Sequence, residues 1–181
     1  MKKRLCTAWL AALLATCALG CQTPNGEEMA RQLQQGMTME QVIETFGEPN
    51  TAEEAEWKAL LNVEDSAVAQ LQQQAVLYRD VQYLSERMDL VILFSGDQRD
   101  DTVTSFRFVL RSDRDTCLAA VRTAASALQA QWGEPERQLG DPQTGTLQDD
   151  LLWVKWPSGQ LEMYRDANSE SYSLVITQHV R

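Results

Sequence analysis

Histidine is almost missing from this chain: His179 is the only one in 181 residues. Metal sites built on several histidines are excluded by count, and the serine–histidine–aspartate arrangement is set aside with them. The glycines form no P-loop, no dinucleotide fingerprint and no Gly-x-Ser-x-Gly turn. Asp97, Asp100 and Asp101 lack the spacing of an EF-hand and read as a solvated hairpin turn. Glu53, Glu54 and Glu56 diverge around a helix, so they read as a solvated face and not as half of a catalytic carboxylate pair. The residues therefore carry no enzymatic constellation, no metal site and no cofactor motif. An enzyme built on carboxylates alone stays open, with nothing pointing to one.

What is present begins with an address. Lys2, Lys3 and Arg4 precede an apolar, alanine-rich run over 5–19, the pattern of a secretory signal and not of a stable membrane span. Residues 1–20 are read as that signal. It ends in Ala18-Leu19-Gly20-Cys21, which resembles the bacterial lipobox, where the signal is cut before a cysteine that becomes lipidated. The motif usually has leucine where Ala18 stands and a small residue where Leu19 stands; an ordinary signal peptide is the alternative. The resemblance implies acyl chains, palmitate among them, on Cys21. Gln22 in place of aspartate then implies the outer membrane, with the protein facing the periplasm.

Removing the signal leaves 13 basic residues against 26 acidic ones, a net charge of −13. A surface this acidic argues against nucleic acid and against electrostatic binding to anionic lipid. Of the four cysteines, Cys6 and Cys17 leave with the signal and lipidation consumes Cys21, so Cys117 stands alone without a disulfide partner. Cys117 falls in the first turn of an amphipathic helix and reads as a packing residue; the helix N-terminus keeps a redox role open.

The body of the chain is organised around 33–49, LQQGMTMEQVIETFGEP. Thr38 and Gln41 form a capping box for a short helix, and Val42, Ile43 and Phe46 mark its apolar face. Gly47 ends that helix and Pro49 prevents its resumption. Residues 21–35 are read as a lipidated tether with a helical turn or two at its end. Residues 55–61 and 67–71 have helical propensity. From Ala75 the pattern changes to strands at 75–84, 89–94 and 102–110, an antiparallel meander. A second helix spans 115–132, with Leu118, Val121, Ala125, Leu128 and Trp132 in one stripe and Asp115 or Thr116 as its cap. A polar loop follows through Asp149, then strands at 151–156, 160–165 and 172–180.

Three tripeptides recur. Gly-Glu-Pro at 47 and 133 and Tyr-Arg-Asp at 78 and 164 are both 86 residues apart, and Leu-Val-Ile at 90 and 174 is 84 apart. We read two tandem helix-plus-antiparallel-sheet modules, 36–112 and 113–181, giving an α+β fold. The repeat implies a strand within 57–70, against the local helical propensity, and leaves strand 102–110 without a counterpart. Gly36-Met37-Thr38, Glu40-Gln41-Val42 and Phe46-Gly47-Glu48-Pro49 resemble the signature of the SmpA/OmlA outer-membrane lipoprotein family. That family includes the small lipoprotein of the β-barrel assembly machinery, and its fold is shared with the β-lactamase inhibitor protein. The match is good over 33–49 and loose to Leu110; the second half lacks the Gly-Met-Thr opening.

The resemblance implies a non-enzymatic envelope lipoprotein that binds another protein, possible partners lying in outer-membrane assembly or maintenance. The alternative it implies is an inhibitor-like protein that captures an envelope or extracellular enzyme on its sheet. Aromatic residues mark the surface for either role: Trp153, Trp156, Tyr164 and Tyr172 crowd the second half. Trp153 and Trp156 differ in parity, so a regular strand points them to opposite faces. Either one of them is exposed on the sheet, or the modules cover both faces.

Overall fold

The computed structural model describes residues 24–33, 36–166 and 170–180. The signal expected over residues 1–20 and the expected lipidation at Cys21 lie outside the described residues. The helices are α1 (Gly26–Gln32), α2 (Met39–Phe46), α3 (Glu54–Leu61), α4 (Asp65–Gln73) and α5 (Arg114–Trp132). The strands are β1 (Ala75–Tyr83), β2 (Glu86–Phe94), β3 (Val103–Ser112), β4 (Arg137–Leu139), β5 (Leu151–Trp156), β6 (Gly159–Arg165) and β7 (Tyr172–His179). All seven strands form one antiparallel sheet in the order β1-β2-β3-β7-β6-β5-β4. The chain is therefore α+β.

Alternation along the strands gives each face of the sheet its own core. Leu90, Ile92, Phe106, Phe108, Leu161, Met163, Leu174 and Ile176 face one side, where α1, α2 and α5 cover them with Met29, Val42, Val121 and Leu128. On the other side Leu77, Val91, Val109 and Val175 meet Trp57, Leu60, Leu61 and Val68 from α3 and α4. Burying a side chain of this size is worth about 1.5–3 kcal/mol. The α3–α4 pair is thus held by its own apolar stripe, even though neither helix has a side-chain cap. Residues 26–33, counted with the tether from sequence, also join the body, since Met29 and Leu33 are buried.

Helix ends follow local chemistry closely. Thr38 Oγ1 accepts from Gln41 N at 3.3 Å while Gln41 Oε1 accepts from Thr38 N at 2.9 Å. Gly47 then takes φ 87° and donates its N–H to Ile43 O. The cap of α5 differs from expectation: it is Asp113, whose carboxylate accepts from Thr116 N at 2.9 Å. Asp113 lies just before the first helical residue, where its oxygens reach otherwise unpaired N–H groups.

Three sequence expectations change. Residues 54–61 and 65–73 are helical, so the strand that the repeat implied within 57–70 is absent; local propensity agreed with burial and prevailed. The β1–β2 turn is only Leu84-Ser85, with φ 47° and 71°, so β2 begins at Glu86. No Asn-Gly or Asp-Gly signals this turn, which hid its position. The short β4 lies in what read as a polar loop.

The Tyr-Arg-Asp match does not relate equivalent positions. Tyr78 belongs to the first core, whereas Tyr164 packs against the second. Geometry after the two Gly-Glu-Pro turns relates different strands. Asn50 N donates to Leu77 O on β1 at 2.7 Å, and Glu136 N donates to Lys155 O on β5 at 2.8 Å. Counted from β1 and from β5, three antiparallel strands follow in each case; the short β4 precedes β5 in the second. The third of each run, β3 and β7, pair in mid-sheet from Ser105↔His179 to Ser112↔Tyr172.

Candidate protein-binding face

Helices α3 and α4 cover only part of their side of the sheet. Their core includes Val109 on β3 and Val175 on β7, with Tyr164 of β6 at its border. Trp153 on β5 belongs to neither core and is half-buried. Beyond Tyr164 the same face carries Trp153, Lys155, Gln160 and Glu162, aligned by the β5–β6 register, in which Trp153 opposes Glu162 and Lys155 opposes Gln160.

A polar chain crosses this face. Trp153 Nε1 donates to Gln160 Oε1 at 3.4 Å, and Gln160 Nε2 donates to Glu162 Oε2 at 3.1 Å. Burial pushes the Glu162 carboxyl above its usual range, opposed by the Arg107 charge and the Gln160 bond. Burial also lowers Arg107, against the pull of Glu162. Arg107 Nη1 donates to Leu61 O at the end of α3 at 2.8 Å, while its buried Nε meets no hydrogen-bond partner among the described residues. Burial raises the Tyr164 hydroxyl to about 12. Ser173 beside it donates to Asp166 Oδ1 at 2.8 Å, and Asp166 also pairs with Arg111. This arrangement is a partly desolvated polar patch with the Trp153 ring beside it.

The four aromatics named from sequence divide evenly. Trp153 and Tyr164 lie on this face. Trp156 is only 2% exposed; its Nε1 donates to Gly133 O at 3.0 Å and its ring meets Trp132 edge to face. Tyr172 is buried in the same core. Both are therefore buried in this structure, whereas Trp153 and Tyr164 are partly exposed. Gln160 and Glu162 were missed because only cross-strand register brings them beside Trp153, and Arg107 because it joins the same face from β3 only through the Arg107–Thr177–Gln160 register.

Other candidates look less suited to recognition or chemistry. Cys117 is fully buried, its thiol donates to Tyr172 O at 3.4 Å, and burial raises it to about 11, so it is a protonated packing group. His179 ends β7 exposed. A cleft of about 720 Å³ opens on the opposite face between α1 and the end of α5, with Phe106 and Trp132 in its lining. Among the described residues no helix is long and apolar enough to cross a membrane. Comparison with family models, curated proteins and solved structures gives no match for this chain.

Proposed function

We propose that this protein is a non-enzymatic lipoprotein of the bacterial envelope that binds another protein through the open part of its sheet. It is held to the outer membrane by acyl chains on Cys21 and faces the periplasm. Its body is two tandem helix-plus-sheet modules, 36–112 and 113–181, of the SmpA/OmlA kind. The similar glycine-terminated helices, each followed by a backbone contact to the first strand of a three-strand antiparallel run (β1–β3 and β5–β7), support the tandem reading. The observation that carries the binding reading is Trp153, half-buried on a part of the face that no helix covers among the described residues.

The inhibitor-like alternative calls for an aromatic face spanning both modules. Helices α3 and α4 occupy the first module's share of that face, which favours a smaller partner contact centred on β5 and β6. A pull-down from detergent-solubilised envelope, read by mass spectrometry, tests the proposal with intact protein, Cys21→Ala and Trp153→Ala. Expected is a set of envelope partners lost with Trp153→Ala and depleted with Cys21→Ala. Recovery of one soluble enzyme by the intact and Cys21→Ala forms alike supports the inhibitor-like reading. An identical recovery by all three forms overturns both the anchor and the face.

A further inference from the structure

Two exposed cations face each other at the outer edge of this surface. Arg137 on β4 and Lys155 on β5 are register partners, so their side chains leave the sheet on the same side, beside Trp153. Neither takes part in an ion pair among the described residues. Like charges directly opposite each other on adjacent strands destabilise a sheet. Elsewhere on the sheet and its helices some cations are compensated, Arg79 by Glu56, Lys58 by Asp65 and Arg111 by Asp166, whereas here two unpaired cations are set directly against each other. Glu162, the nearest acid inward on the face, is engaged by Gln160 and lies under the influence of Arg107. An uncompensated repulsion beside a half-buried tryptophan is the pattern of a surface shaped for a partner at some cost in stability.

We infer that this edge receives a carboxylate-rich segment of the partner protein, with acidic side chains between Arg137 and Lys155 and an apolar portion on Trp153. The inference rests on the protein-binding reading of the face and names the chemistry of what is bound. Charge complementarity carries it, because these two exposed cations are register partners and neither has an ion-pair partner among the described residues. Anionic lipid headgroups would satisfy the same two cations, but the half-buried Trp153 beside them on the sheet favours a protein segment that brings an apolar portion with its carboxylates.

The test uses the full-length chain in neutral detergent, with N-acetyl hexaglutamate amide as probe and the hexalysine analogue as its reverse. The Trp153 indole N–H is followed by NMR. Expected is a saturable shift with hexaglutamate and none with hexalysine. Affinity should fall by about tenfold or more in the Arg137→Glu/Lys155→Glu double variant, as loss of paired interfacial charges predicts. It should hold in Lys58→Gln, whose lysine lies on α3. Lys155→Gln should raise the melting temperature without any ligand, since it relieves the repulsion. Absence of a saturable shift, a shift unchanged in the double variant, or a lowered melting temperature in Lys155→Gln overturns the inference. Sedimentation with phosphatidylglycerol vesicles that depends on the same two cations assigns them to a bilayer and also overturns it. If Trp153→Ala abolishes envelope capture while hexaglutamate fails to bind, this inference falls and the protein-binding reading stands; if neither responds, both fall.

Discussion

Trp132 at the end of α5 and Trp156 at the end of β5 meet edge to face, with ring centroids 5.6 Å apart. The carbonyl of Gly133, the residue after Trp132, accepts the Trp156 indole N–H at 3.0 Å. The helix terminus, its closing glycine and the strand are thus tied together by one side chain.

Truncating Trp156 should therefore be severe and truncating Trp153 mild. Trp156→Ala removes a buried aromatic and leaves the Gly133 carbonyl without its donor, an expected loss of about 3–5 kcal/mol. Trp153→Ala, on the open face, is expected to cost about 1 kcal/mol or less. Urea denaturation of the two variants, with the slopes compared, measures both. Equal losses would mean that Trp153 is structural.

Gly47 and Gly133 end their helices with φ near 87° and 85° and ψ near −177° and −161°. A Cβ at either site meets nothing within 4 Å, so alanine costs backbone strain and no clash. That region of backbone space is essentially restricted to glycine and costs about 1–3 kcal/mol for other residues. Asparagine, which tolerates the ordinary left-handed helical conformation, should rescue neither site. Thermal unfolding of the Ala and Asn variants tests this, and recovery by asparagine would contradict it.

Glu162 gives stability a pH dependence of definite sign. Its folded pKa lies above the usual value of 4.5 because burial outweighs the pull of Arg107. The native state therefore binds a proton before the unfolded chain does. The contribution of this group is most favourable below about 4.5 and is lost as pH rises through the folded pKa. Glu162→Gln should accordingly be more stable than the native chain at pH 7, with the advantage vanishing towards pH 4. Denaturation curves across that range provide the check; a difference independent of pH would exclude it.

Cys117 should be inert to alkylation in the folded state. Its sulfur is buried, and a thiol raised to about 11 has little thiolate at pH 8. Iodoacetamide at pH 8 should leave the Cys117 peptide unlabelled, with labelling appearing once denaturant is added. Mass spectrometry of the peptide separates this site from the cysteines near the N-terminus. Rapid native labelling would restore a reactive role.

Local chemistry was legible wherever the determining atoms lie within a few residues of one another. The Thr38–Gln41 capping box, the two Gly-Glu-Pro stops, the amphipathic α5 and the strand alternation all belong to this class. The opposite orientations of Trp153 and Trp156 follow from parity alone. Strand pairing across the middle of the sheet does not. Tripeptide matches aligned β1 with β6 and β2 with β7, whereas the edge contacts of Asn50 and Glu136 relate β1 to β5.

Sequence by itself thus determined the helices, most strands and the α+β class, because capping, turns and side-chain periodicity act over short distances. Tertiary structure decided which side of Trp153 remains open, that Trp156 and Tyr172 are buried, and that Arg137 stands opposite Lys155. Those outcomes depend on register between strands and on where α3 and α4 come to rest. Both are settled by which apolar surfaces meet across the fold, a sum over distant residues that no local pattern records.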